Sequence, residues 1–405
     1  MVPTGIDPDL PAFAGGEPLR KELLPYGHQV LGLQEEAALI RVARSPHLTC
    51  GMETDRFEQH LAGVCGARKA VALSSGTTAL HACLRVLGIG PGDEVVVPAI
   101  TFVASCNAAI YVGARPVIAD VLPDTLTLCP ESLERAISPQ TRAVVVVHFA
   151  GHTGRLAEVL AIARRHGLAV VEDAAHALGT RFWHEERWVA VGSLPDTLAA
   201  FSFHPVKLIT TGEGGAVTTA SSLLEARLRL FRHHGIDRGP SGENAQHDRI
   251  SALGMNGRMS ELQAALGRVQ LDRMDDFLAR RRSIARVYLE AFAGEEALIL
   301  PVEGQTVQSS WNLFVVRLVP SVLGISRDDL LQNLRMEGIC PQVHYVPLHY
   351  HPHVQRHARL LTGGLPVAEQ AYAGALTLPL WPGMTDGDIS DVIQALRRIL
   401  KYRRR

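Results

Sequence analysis

No two cysteines of this 405-residue chain stand in a CxxC spacing. The six thiols, Cys50, Cys65, Cys83, Cys106, Cys129 and Cys340, are scattered, most of them among apolar or small residues. That pattern argues against a zinc centre or a disulfide framework and for reduced core thiols, so no metal site is expected. Excess charge is missing as well. With 40 Lys+Arg against 41 Asp+Glu, the net charge of −1 gives no global field to draw nucleic acid or an anionic membrane. Any anionic ligand must be held by a local site. Long apolar runs are absent, the longest, such as Ala143 to Val147, falling far short of the roughly 20 residues that cross a bilayer. The first residues, MVPTGIDPDLPAFAGG, hold no basic segment followed by an apolar one, so a cytoplasmic location is expected. The basic end KYRRR is too short to argue for nucleic acid and reads as a solvated helix end.

What is present is an alternation. A composition 47% hydrophobic can bury one large core or two. Residues 1–27, rich in Pro and Gly, read as an arm laid over the body or over a partner subunit. From Cys65 to about Ala220, β-rich runs alternate with amphipathic stretches. Ala70–Leu73, Glu94–Pro98, Pro116–Asp120, Ala143–His148 and Ala169–Asp173 are the strand candidates. The pattern predicts an α/β fold with a largely parallel sheet. Continuous apolar runs such as AVVVV are expected where helices cover both faces, and ligands should gather at the carboxyl ends of the strands. A large domain over 28–259 would be followed by a long connecting helix over 260–290, where spacing is helical and charge heavy, and by a small α+β domain over 291–405.

Three segments carry chemistry. Ser74-Ser75-Gly76-Thr77-Thr78 follows the apolar run AVAL and opens a helix-patterned segment. Exposed N–H groups at a helix start, the Gly76 backbone and the Thr77 hydroxyl can together hold a phosphate, though an ordinary capped helix has the same pattern. In VVEDAAH an apolar strand ends in acid, and Asp173 is the carboxylate placed to act at a ligand, or else to cap a helix or pair with a cation. In FSFHPVK, Lys207 stands between apolar residues and a Gly-rich turn, TTGEGG. Partial desolvation there would lower its pKa and leave a neutral amine able to form an imine, while a lysine reaching the surface from a hairpin is the plainer alternative.

In the order SGTTAL, TFVASCNAAIYVGARPVIADV, HFAG, VEDAAHALG, FSFHPVK with TTGEGG, and GMNGRMSELQAALG, these blocks resemble the nucleotide-sugar aminotransferases of the DegT/DnrJ/EryC/StrS family. The match runs from about Tyr26 to the end of the chain. The resemblance implies a pyridoxal-phosphate (PLP) enzyme of fold type I, the aspartate-aminotransferase fold, with a mainly parallel seven-stranded sheet in the large domain. It implies that Lys207 carries PLP through an imine and that Asp173 pairs with the pyridine nitrogen. Gly76, Thr77 and Ser202 would hold the phosphate, and Phe102 would stack on the ring. His176 would offer a hydrogen bond near the ring oxygen. Asn256 would reach the phosphate from a neighbouring subunit, making the enzyme at least a homodimer.

The resemblance further implies L-glutamate as amino donor and a nucleotide-linked keto sugar as acceptor. His344, Tyr345 and His349, in the block VHYVPLH, would contribute to the sugar or nucleotide pocket. The blocks look most like enzymes that aminate C4 of UDP-linked 4-keto-6-deoxy-N-acetylhexosamines, as in pseudaminic acid biosynthesis. C3 amination of a dTDP-linked sugar stays open. Family dehydratases replace the lysine by histidine, whereas here Lys207 is present, with His204 three residues before it.

Overall fold

A computed structural model describes residues 10–237 and 249–404. The start of the N-terminal arm, the middle of the Gly-rich stretch 235–257 and the last arginine of KYRRR lie outside the described residues.

Seven strands from residues 69–219 form one sheet in the order Arg115–Ala119, Glu94–Pro98, Thr141–Val147, Ala169–Asp173, Thr197–Ser202, Gly215–Thr219, Lys69–Leu73. The first five are parallel; Gly215–Thr219 runs antiparallel to both of its neighbours. An eighth, two-residue strand, Arg359–Leu360, joins the edge beside Arg115–Ala119. Its position is held by Arg359, whose guanidinium grips both oxygens of Glu94 at 2.8 and 2.7 Å.

Because side chains alternate along a strand, each apolar run feeds two cores. Val96, Val144, Val146 and Val170 point to one face, and Val95, Val97, Val145 and Val171 to the other. Helices cover both, among them Met52–Cys65 on the first and Gly76–Val86 on the second. Each fully buried valine contributes roughly 1.5–3 kcal/mol, which is why these strands read as unbroken apolar stretches.

The single connecting helix expected over 260–290 is instead two, Glu261–Asp272 and Met274–Ala291. Arg273 leaves helical geometry between them (φ −98°, ψ 1°). Its guanidinium donates to Glu35 at 2.6 Å, fixing the break against the helix Leu33–Ala43. The first helix packs with Leu33–Ala43 and Met52–Cys65. The second buries Ile284, Ala285 and Tyr288 in a separate core with Phe314, Leu376 and Leu396. That core belongs to an antiparallel sheet of Leu298–Ile299, Phe314–Leu318 and Ala375–Leu378, covered by Arg327–Met336 and Asp386–Arg403.

The described part of the N-terminal arm lies over this C-terminal layer of its own chain. Leu24–Pro25 pairs in parallel with Ile339–Cys340. Arg20 bridges Asp388 and Asp391, each at 2.7 Å, and the backbone N–H groups of Ala12 and Leu19 donate to the buried Glu337. Among the cysteines, Cys65, Cys83 and Cys106 are buried, Cys129 and Cys340 half-buried and Cys50 exposed. Among the described residues no helix is long and apolar enough to cross a membrane.

Candidate active site

The carboxyl ends of the parallel strands open on a cavity of about 420 Å³. Asp173 and Ser202 are the last residues of their strands, and both line it together with Lys207, Gly76, Thr77 and Phe102. Six residues from four separate segments of the sequence thus meet in one hollow.

One wall is the start of the helix Gly76–Val86. Ser75 caps it, its Oγ accepting from the Thr78 N–H at 3.1 Å, while the unpaired donors of the first turn belong to residues that line the cavity. Ser202 packs so closely that a Cβ on Gly76 would lie 2.8 Å from the Ser202 Cβ. Only glycine lets backbone and serine hydroxyl converge there.

Asp173 is buried. Its Oδ2 accepts from Ser105 Oγ at 2.6 Å and its Oδ1 from the Ala175 N–H at 3.2 Å, and Ser105 in turn contacts Thr101 at 2.8 Å. Both donors fix its direction. Lys207 sits in the turn beyond Ser202, its N–H donating to the His204 carbonyl at 2.9 Å. Burial lowers its amine from 10.5 to about 8; the Asp173 carboxylate opposes this and the Arg281 cation reinforces it.

Phe102 is 56% exposed, which removes it from the core and leaves it on the cavity wall, 5.9 Å between ring centroids from Tyr345. His176 is buried behind that tyrosine. Burial, then the positive charges of Lys207, His344 and Arg281, hold its imidazole well below the ordinary value. His344 also lines the cavity; its Nδ1 meets Thr377 Oγ1 at 2.8 Å, and burial with the nearby Lys207 charge takes it down to about 3.

Two of the singled-out residues lie elsewhere. His349 is buried against Glu369 (Nε2 to Oε1, 3.1 Å) and does not line the cavity. Asn256 is exposed on the surface, its backbone bridged to His233, and it too is absent from its own chain's cavity wall. Other groups at the site were not singled out from the sequence: Tyr26, Thr101 and Glu213 on the wall, Ser105 behind Asp173, and Arg281 deep beside them. Arg281 is 1% exposed and donates from Nη1 to the carbonyls of Trp311, Asn312 and Leu380, and among the described residues it pairs with no carboxylate; burial lowers it to about 10. One usable signal is composition. The chain has four lysines, Lys21, Lys69, Lys207 and Lys401, and of these Lys207 is the one lining the cavity.

A buried amine of lowered pKa, a fixed carboxylate across the hollow and a glycine-opened helix start suit a phosphorylated aldehyde with a basic ring nitrogen, which is PLP. A sequence model of the DegT/DnrJ/EryC1/StrS aminotransferase family matches residues 30–397. The chain belongs to that family. It is a PLP-dependent sugar aminotransferase of fold type I. The spore coat polysaccharide biosynthesis protein SpsC of Bacillus subtilis (strain 168) is 38% identical over 387 residues, covering 94% of this chain and 98% of the relative. Among solved structures, DesV of S. venezuelae superposes with a TM-score of 0.82 at 38% identity, over 92% of this chain and 94% of its own. PseC of Helicobacter pylori, an aminotransferase of pseudaminic acid biosynthesis, superposes with a TM-score of 0.87 at 27% identity, over 94% of this chain and 100% of its own.

Proposed function

We propose that this aminotransferase moves the amino group of L-glutamate to the C4 keto group of a UDP-linked 4-keto-6-deoxy-N-acetylhexosamine. The observation that carries the proposal is the placing of Lys207 and Asp173 in one cavity to which the C-terminal part of the chain adds His344 and Tyr345. The likeness to PseC over 94% of this chain supports the sugar class. Bound in the cavity, PLP supplies an aldehyde that takes up amines and a ring that withdraws electrons from the adjoining carbon.

The chain's own residues do the rest. The Lys207 amine, lowered to about 8, is neutral often enough near neutral pH to take a proton from the donor's Cα and return it at the neighbouring position. Asp173, oriented by Ser105 and the Ala175 N–H, would hold a proton at the ring nitrogen. Gly76, Thr77 and Ser202 would hold the phosphate, and Phe102 would offer its face to the ring. His344 and Tyr345 orient the sugar. A partner subunit's copy of Asn256 completes the phosphate site in a homodimer, in keeping with the exposure of Asn256 outside its own cavity. The preserved Lys207 favours amino transfer over dehydration.

The test is a half-reaction. PLP-loaded protein is mixed with L-glutamate and then, separately, with UDP- and dTDP-linked 4-keto-6-deoxy sugars while the cofactor spectrum is recorded. Loss of the yellow form with glutamate and its return with the UDP sugar is the expected result. Return with the dTDP sugar alone, or no response to glutamate, overturns the assignment.

A further inference from the structure

The contact between buried His176 and half-buried Tyr345 fixes where a proton stands. Ala150 adopts the left-handed backbone region (φ 57°, ψ 7°), which costs an alanine on the order of 1 kcal/mol, and its N–H donates to His176 Nδ1 at 3.3 Å. A nitrogen that accepts carries no hydrogen, so a neutral imidazole here has its proton on Nε2. Lys207, His344 and Arg281 all face this ring with positive or potentially positive charge, which disfavours a second proton. Nε2 lies 3.2 Å from Tyr345 Oη. The Nε2–H therefore donates to the phenol oxygen. Tyr345 then cannot give its own hydrogen to His176, and among the described residues its hydroxyl has no other hydrogen-bond partner.

We propose that Tyr345 is the hydrogen-bond donor that meets an oxygen anion in the cavity, and that His176 is a positioning residue which turns the tyrosine proton into it. Both ring nitrogens of His176 are engaged by the protein. The hydrogen bond that the family resemblance gives to position 176 thus falls to a residue 169 positions later in the chain. The inference rests on the aminotransferase assignment for the identity of the anion, which is either the ring oxygen of PLP or an oxygen of the substrate.

The proton's place can be read without cofactor or substrate. In protein carrying ring-15N histidine, with the His176 signals assigned by difference from His176→Gln, NMR should show a neutral Nε2–H tautomer from about pH 6 to about pH 9. An Nδ1–H tautomer or an imidazolium overturns the proposal while leaving the aminotransferase reading untouched.

With PLP bound, Tyr345→Phe separates the two sources of the oxygen. If the acceptor is the cofactor oxygen, losing the donor destabilises its anion, raising the pH midpoint of the visible absorbance by about one unit and weakening PLP about tenfold. If the acceptor is on the sugar, the midpoint stays and KM for the keto sugar rises about tenfold. Either change supports the proposal; absence of both overturns it. His176→Gln, whose amide oxygen can accept from Ala150 and whose NH₂ can donate to Tyr345, should retain the wild-type midpoint and KM. His176→Phe should reproduce the Tyr345→Phe shift, a pattern that a merely structural role for the imidazole would not produce.

Discussion

The two walls of the cavity are built on different physics. The wall from the central sheet carries its polar groups at or just beyond strand ends: Asp173 closes one strand, Ser202 another, and Lys207 stands in the turn that follows. The wall from the C-terminal part is aromatic and neutral, with His344 held down to about 3 and the Tyr345 phenol pushed up, mainly by burial. Lys207 and Asp173, the groups that would do bond chemistry, stand on the first wall, and hydrogen-bonding groups that keep one protonation state face them. A wall of the second kind can recognise a substrate without disturbing the titration of Lys207 as pH changes.

Breaking the charged wall should have the largest effects. Lys207→Ala should lower amino transfer by about 10⁴-fold or more, measured as glutamate-dependent sugar amination, because it removes both the attachment point and the base. Asp173→Asn should retain PLP but lose about 10²- to 10³-fold in rate, since the ring nitrogen loses its counter-charge; near-normal turnover would remove Asp173 from its role. Gly76→Ala brings a Cβ to 2.8 Å from the Ser202 Cβ, and should weaken PLP about tenfold in a fluorescence titration by prising the serine from the helix start.

The pH dependence sharpens the contrast. With Lys207 at about 8, the rate at which the unloaded protein captures PLP should rise nearly tenfold per pH unit below that value and level off above it. The neutral wall should add no step of its own across the same range. The smallest effect is expected at His349, which the family resemblance places near the substrate and the structure places against Glu369. His349→Ala should change KM for the sugar by less than about twofold.

The charged wall was also the legible one. An apolar strand ending in Glu172-Asp173, a helix opening on Ser75-Gly76-Thr77 and a lysine between FSFHPV and a Gly-rich turn are each local patterns, and the alternation around them carried the parallel sheet. What escaped is non-local. Nothing near Tyr345 in the sequence announces His176, and Ser105, a small hydroxyl inside TFVAS, shows its purpose only when the helix Ala104–Tyr111 brings it to Asp173. The break at Arg273 escaped for the same reason, because the helical spacing continues across it and the cause is an ion pair to Glu35 far upstream. Phe102 differs again: taken alone an aromatic in an apolar stretch reads as core, the family resemblance puts it at the ring, and the structure leaves it 56% exposed on the cavity wall.

The central claim, that Lys207 is the group on which the cofactor is carried, has a direct test in a chain with four lysines. PLP-loaded protein is reduced with borohydride, digested and mapped by mass spectrometry. The account predicts a phosphopyridoxyl group on the peptide containing Lys207, with Lys21, Lys69 and Lys401 unmodified at stoichiometric loading. Attachment at one of those three, or no attachment at all, would contradict it.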